Sequence, residues 1–188
     1  MSQRIIGGWL AELFDTVITV NPHLHRIGRL GDAVPAKRSI AVSAGPLLAD
    51  FLQHRIGRAV LLGPDQESQQ WVAQIAERAG MEYLIAEKQR VSDKDVHIKL
   101  PARNLSASPV IIIDDVAGTA RTLAVAAEQL RGAGATEIHC CIVHPIFAGD
   151  AEAVLNHAGI GYVWSTDSIM HPSNSVDLCE ILAAAVRG

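Results

Sequence analysis

Apolar residues fall along the chain in two alternating rhythms. Short, nearly continuous runs at 16–20 (TVITV), 59–62 (AVLL), 82–86 (EYLIA), 110–113 (VIII), 138–143 (IHCCIV) and 162–164 (YVW) have the length of buried strands. Between them, segments 3–14, 46–54, 67–79, 119–131, 150–157 and 176–186 show helical spacing. The clearest is 119–131, with Leu123, Ala127 and Leu130 at i, i+4 and i+7 and with Gly132 and Gly134 to end it. Gly80 closes 67–79 in the same way. A short extended piece is predicted at 40–43 and a loop at 21–32. Over 91–100, polar and charged residues take alternate positions (Asp93, Asp95, His97, Lys99), which predicts a hairpin or flap with one wet face.

Strands that are apolar throughout, alternating with helices, indicate a parallel sheet covered on both faces. The predicted fold is α/β, with a mostly parallel central sheet of about five or six strands and helices on both faces. The 188 residues suit one domain, 1–188. In such sheets ligands sit at the carboxyl ends of the strands, where the connecting loops begin. That draws attention to four segments: NPHLHR, GPDQES, AEKQR and DDVAGTART.

Composition narrows the partners. With 49% hydrophobic and 19% charged residues the chain is an ordinary globular one rather than a disordered one. A formal net charge of −4 gives no field that would attract nucleic acid or an anionic membrane, so neither is expected as a partner. An anionic ligand must therefore be held by a local site. No apolar run approaches the roughly 18 residues of a membrane span, and MSQRIIGGWLAELFD lacks the form of a signal peptide. Cys140 and Cys141 are adjacent and Cys179 stands alone, which is neither a disulfide framework nor a zinc spacing. All three read as small buried hydrophobes in a reducing compartment, and a cytoplasmic location is expected.

The segment DDVAGTART carries the most chemistry. Unpaired amides at a helix N-terminus can cradle a phosphate over Gly118, Thr119, Ala120, Arg121 and Thr122, with the two threonine hydroxyls donating as well. Asp114 and Asp115, one step earlier, would repel that phosphate and suit vicinal hydroxyls or a phosphate-bound Mg²⁺. A diol at one end and a phosphate at the other describe a ribose 5-phosphate. One aspartate could instead cap the helix, but a pair after a buried strand exceeds that need. Elsewhere, His23 and His25 follow a strand end at i, i+2. Lys88 and Arg90 read by themselves as a solvated face, Asp65 after Gly-Pro as a turn former, and Trp9, Trp71 and Trp164 as core or interface residues.

VIIIDDVAGTARTL resembles the ribose 5-phosphate signature of the phosphoribosyltransferase fold, and within it the ribose-phosphate pyrophosphokinase family. ITVNPHLHRI is similar to that family's segment bearing the catalytic-loop histidine, LLGPDQES to its Pro-Asp turn and AEKQR to the start of its catalytic flexible loop. VHPIFAGDA and STDSIMHP resemble two further family segments, so the likeness spans nearly the whole chain in order. It implies an enzyme that transfers pyrophosphate from Mg·ATP to ribose 5-phosphate, giving phosphoribosyl pyrophosphate and AMP, with Mg²⁺ as cofactor. It further implies that His23 and Asp65 place the metal and that His23, Lys88 and Arg90 act in catalysis. Asp114, Asp115, Gly118, Thr119, Ala120, Arg121 and Thr122 would hold ribose 5-phosphate.

The chain departs from the family pattern at three places. Asn21 stands where an Asp is usual. Gly118 replaces Asp or Ser, and Arg121 replaces a Gly, so it either crowds the pocket or offers a guanidinium to the phosphate. The chain matches the C-terminal of the family's two similar halves, with the N-terminal half absent, and apolar surface left uncovered there predicts a homo-oligomer. Two other readings stay open: a phosphoribosyltransferase that consumes phosphoribosyl pyrophosphate, and a non-catalytic relative that binds ribose phosphate or nucleotide.

Overall fold

Each strand-length apolar run forms a strand and each periodic segment a helix. The structure, a computed structural model, describes residues 2–24, 27–90, 96–101, 104–106 and 108–188, with 88–90 and 96–98 described in backbone only. In chain order the elements are α1 (Ser2–Leu13), β1 (Thr16–Val20), a single turn α2 (Leu30–Ala33), β2 (Arg38–Val42), α3 (Gly45–Arg55) and β3 (Val60–Gly63). A 3-10 turn (Gln66–Ser68) leads into α4 (Gln69–Ala79), followed by β4 (Glu82–Ile85), β5 (Glu87–Arg90) and β6 (Val96–Lys99). Then come β7 (Val110–Ala117), α5 (Arg121–Gly132), β8 (Ile138–Pro145), α6 (Ala151–His157), β9 (Val163–Thr166), β10 (Asn174–Val176) and α7 (Cys179–Arg187).

The chain divides into two compact units where a single domain was expected. The first, Met1–Ala44 with Leu178–Gly188, is built on a two-stranded parallel sheet, with Thr16 opposite Arg38 and Val20 opposite Val42. Helix α7 packs on both strands, and α1 packs on α2 and β1. Gly7 makes the last contact possible, because a Cβ there would run into the Ala33 carbonyl. No residue of β1 or β2 is fully buried.

The second unit, Gly45–Asp177, holds a six-stranded sheet in the order β10-β9-β8-β7-β3-β4, parallel throughout. Its central strands are buried along nearly their whole length, as a parallel sheet covered on both faces requires. Leu62, Ile112 and Ile142 from neighbouring strands meet Leu123, Ala127 and Leu130 of α5 and Leu155 of α6 in one cluster. Each of these leucines and isoleucines stabilises the fold by roughly 1.5–3 kcal/mol. The i, i+4, i+7 row seen in the sequence is thus the face of α5 that seals the sheet.

Two boundaries differ from expectation in ways that matter for the site. Strand β7 does not stop before the aspartates but runs on to Ala117. Its neighbour β8 is equally long, and pairing continues from Asp114 opposite Ile142 to Ala117 opposite Pro145. Helix α5 starts at Arg121, two residues later than predicted, because Ala120 takes the left-handed conformation (φ 58°, ψ 6°) as its N-cap. The antiparallel pair is β5–β6, so its first strand precedes the predicted 91–100, and Asp93 and Asp95 lie outside the described residues. Gly80 ends α4 with a left-handed φ of 66°, as its position foretold.

Candidate functional site

The loop between β7 and α5 is positioned by both of its ends. On one side the ladder holds the backbone through Ala117, and on the other the buried Leu123 and Ala127 anchor α5 in the core. A third restraint comes from the loop after β8, where the Phe147 amide donates to Ala117 O (2.9 Å) and the Ala148 amide to Gly118 O (3.0 Å). The loop encloses a cavity of about 240 Å³, walled by Asp114, Val116 and residues 117–123. The N-cap residue Ala120 makes no side-chain bond of its own, and the first turn of α5 lies at the cavity wall with the positive end of the helix dipole.

The predicted residues fall into place unevenly. Asp114, Gly118, Thr119, Ala120, Arg121 and Thr122 all line the cavity. Asp115 does not, since side chains alternate along a strand and Asp114 shares a face with Val116. The two carboxylates therefore stand on opposite faces rather than side by side, and the Asp115 amide donates to Asp114 Oδ1 (3.0 Å). Asp114 also acts on the strand beside it: burial pushes the Cys140 thiol well up, and the charge of Asp114 pushes it the same way.

Asp65 ends the β3 loop, where its carboxylate accepts from the Ser68 amide (3.0 Å) as the cap of the 3-10 turn. The turn-former role is real, and it occupies one carboxylate oxygen. Among the described residues no three His, Cys, Asp or Glu side chains gather as a metal cluster. A phosphate-bound Mg²⁺ needs only one or two carboxylates besides phosphate oxygens and water, a mode that Asp65 fits. Lys88 and Arg90 lie on β5, opposite Ile98 and Val96. His23 is an exposed residue of the first unit, with its carbonyl bonded by Gln3 Nε2 (2.7 Å). His25 lies outside the described residues. Asn21 has a local function: it adopts φ 39°, and its Oδ1 accepts from the Ala44 amide at 2.7 Å. Asn tolerates that backbone region better than most residues.

Two features of the site escaped sequence reasoning. The left-handed residue of the loop is Ala120, not Arg121, and nothing in an alanine announces a positive φ. Phe147 is likewise left-handed (φ 38°), where it turns the chain to brace the loop. Arg121 takes helical geometry as the first residue of α5 with its side chain exposed, so it adds positive charge at the rim without distorting the backbone. At Gly118 an added Cβ would meet nothing within 4 Å, so the glycine is not there for want of space.

Comparison with known proteins identifies the chain's relatives. Ribose-phosphate pyrophosphokinase 2 of Archaeoglobus fulgidus is 29% identical over 184 residues, covering 97% of this chain and 65% of the relative. The ribose-phosphate pyrophosphokinase of Methanopyrus kandleri is 30% identical over 190 residues, covering 100% and 64% respectively. The chain thus spans a little under two thirds of the length of these relatives. The crystal structure of phosphoribosylpyrophosphate synthetase from Mycobacterium smegmatis shares the fold, with a TM-score of 0.75 at 19% identity over 97% of this chain and 63% of that one. The family described as phosphoribosyl transferase domain matches residues 33–160, which takes in the cavity, the loop and the strands that hold them. The chain belongs to the phosphoribosyl transferase domain family.

Proposed function

We propose that the 118–122 loop binds the phosphate of ribose 5-phosphate and that the chain serves pyrophosphoryl transfer from Mg·ATP to that sugar, giving phosphoribosyl pyrophosphate and AMP. The observation that carries the reading is the cavity in which the start of α5, two threonines and Asp114 converge. Backbone amides and the Thr119 and Thr122 hydroxyls donate to phosphate oxygens, Arg121 adds a cation at the rim, and Asp114 accepts from a sugar hydroxyl. Asp65 acts toward Mg²⁺ and the phosphates of ATP. When bound, the metal neutralises phosphate charge. Lys88 and Arg90 stabilise the charge that spreads over the transferred group, since such transfers depend on positioning and electrostatics more than on covalent chemistry.

The similarity to named pyrophosphokinases supports this reading over that of a phosphoribosyltransferase consuming phosphoribosyl pyrophosphate. Asn21 favours a second reading, binding without turnover, because its amide is neutral and its oxygen already accepts from Ala44. We further propose that the protein works in the cytoplasm and associates with itself; none of the described helices is long and apolar enough to cross a membrane.

Release of AMP from Mg·ATP, dependent on ribose 5-phosphate, tests the reaction. Turnover that disappears in Lys88→Ala supports it, while ribose 5-phosphate binding without AMP release leaves the binding reading. Failure to bind ribose 5-phosphate by calorimetry overturns both.

A further inference from the structure

VHPIFAGDA and STDSIMHP lie outside the cavity, yet within the second unit they meet at one side chain, His171. His171 follows β9 and is held from several directions. Its amide donates to Asn174 Oδ1 (2.9 Å), and Asn174 Nδ2 donates to Thr166 O (2.6 Å) at the end of β9. The Ser173 amide donates to His171 Nδ1 (3.1 Å), which makes Nδ1 the acceptor and leaves the ring proton on Nε2. That Nε2–H donates to Glu152 Oε1 (2.8 Å) in the first turn of α6. The imidazole, 18% exposed, lies against the Phe147 ring, with centroids 4.8 Å apart and planes tilted by 57°.

Phe147 needs such support. It is left-handed at φ 38°, a conformation that a bulky residue adopts only when its surroundings impose it. From that conformation its amide and the Ala148 amide reach Ala117 O and Gly118 O. The Phe147 side chain packs on the core cluster of β7, β8 and α5 and touches His171 as well. A Phe147 ring released from the imidazole is free to move, and its backbone can relax toward an ordinary φ, drawing the amides off the loop.

We infer that His171 is a positioning residue for the 118–122 loop, acting through Phe147 on the affinity for phosphate. The inference rests on the phosphate reading proposed above and adds to it a residue outside the cavity. Glu152 and Ser173 fix the ring, the ring fixes Phe147, and Phe147 fixes the start of the loop.

Calorimetry of the full chain with ribose 5-phosphate measures the effect. His171→Ala should raise the dissociation constant about five- to tenfold, and Phe147→Ala at least as much. The double variant should bind no more weakly than Phe147→Ala alone, because one side chain acts through the other. Glu152→Ala, at a side chain 66% exposed, should raise the constant about threefold. Glu152→Gln should match the wild type, since an amide oxygen still accepts from Nε2. Val72→Ala, in the buried face of α4 where it packs on α3, should lower stability and leave the constant unchanged, which separates positioning from a general loss of packing. Circular dichroism checks that each variant folds, and the two Glu152 variants carry the test if His171→Ala does not. Unchanged affinity in His171→Ala or Glu152→Ala, or additive losses in the double variant, overturns the positioning role and leaves the phosphate site standing. A wild-type chain that binds no ribose 5-phosphate overturns both.

Discussion

Ala120 offers a quantitative test of how the loop is built. It is left-handed at φ 58° and only 4% exposed, so its methyl group is packed while its backbone is strained. The left-handed conformation costs an L-residue roughly 1–2 kcal/mol, which glycine does not incur. Against that gain, Ala120→Gly loses about 0.8 kcal/mol of methyl burial and about 0.4–1 kcal/mol through the freer unfolded chain. The terms nearly cancel, so the substitution should change stability by less than about 1 kcal/mol in either direction. Ala127→Gly removes the same methyl from a fully buried site within α5. There the helix penalty of about 1 kcal/mol adds to the lost burial, and the cost should be about 2 kcal/mol. Ala120→Val, which forces a β-branched residue into the left-handed region, should cost more than about 2 kcal/mol. Urea unfolding followed by tryptophan fluorescence gives the three values if the slope stays constant. Equal losses at Ala120→Gly and Ala127→Gly would refute the strained cap.

Other outcomes follow from the same geometry. Asp65→Asn should keep the bond to the Ser68 amide and hold stability within about 0.5 kcal/mol, while Mg²⁺-dependent turnover falls; a large drop in melting temperature would instead make the carboxylate charge structural. Gly118→Asp has room for its Cβ and should fold normally, yet bind inorganic phosphate several-fold more weakly by calorimetry, because a carboxylate then faces the anion. Arg121→Ala should weaken the same binding by about tenfold and flatten its salt dependence. Burial pushes the Cys141 thiol up to about 12, so above the ordinary thiol value the unfolded chain loses a proton that the folded chain keeps. Stability from this group is whole below about pH 8.5 and falls by about 1.4 kcal/mol per pH unit above it; Cys141→Val should show a shallower alkaline slope in urea titrations at pH 8.5–10.

The fold was legible where burial dictates pattern. The runs at 110–113 and 138–143 are apolar because both faces of β7 and β8 are covered, and α5 announced its core face through Leu123, Ala127 and Leu130. The division into two units was not legible, because TVITV has the composition of a strand in any sheet and its partner choice is a tertiary matter. The strand boundary at Asp114 was misplaced for a related reason. A polar pair reads as the end of a strand, yet pairing with β8 carries the backbone past it. That the loop lines a cavity at the start of α5 was legible from Gly118, Thr119 and Thr122. The opposition of the two aspartates follows from strand alternation and became visible only once the strand was known to continue. Ala120 and Phe147 left no trace in sequence, since their backbone angles are imposed by packing rather than preferred by the residues.

The clamping of Ala117 O and Gly118 O by the Phe147 and Ala148 amides has a consequence for how a ligand arrives. Ordering a free loop costs roughly 1–2 kcal/mol per residue, and here that cost is met during folding rather than at binding. On the proposed phosphate reading the ligand meets a loop whose entry is already ordered, so association should be governed by encounter and dehydration rather than by rearrangement. The same rigidity makes the loop a poor sensor. A ligand can fill it without altering the sheet behind, and any signal of occupancy must leave through the ligand's other end.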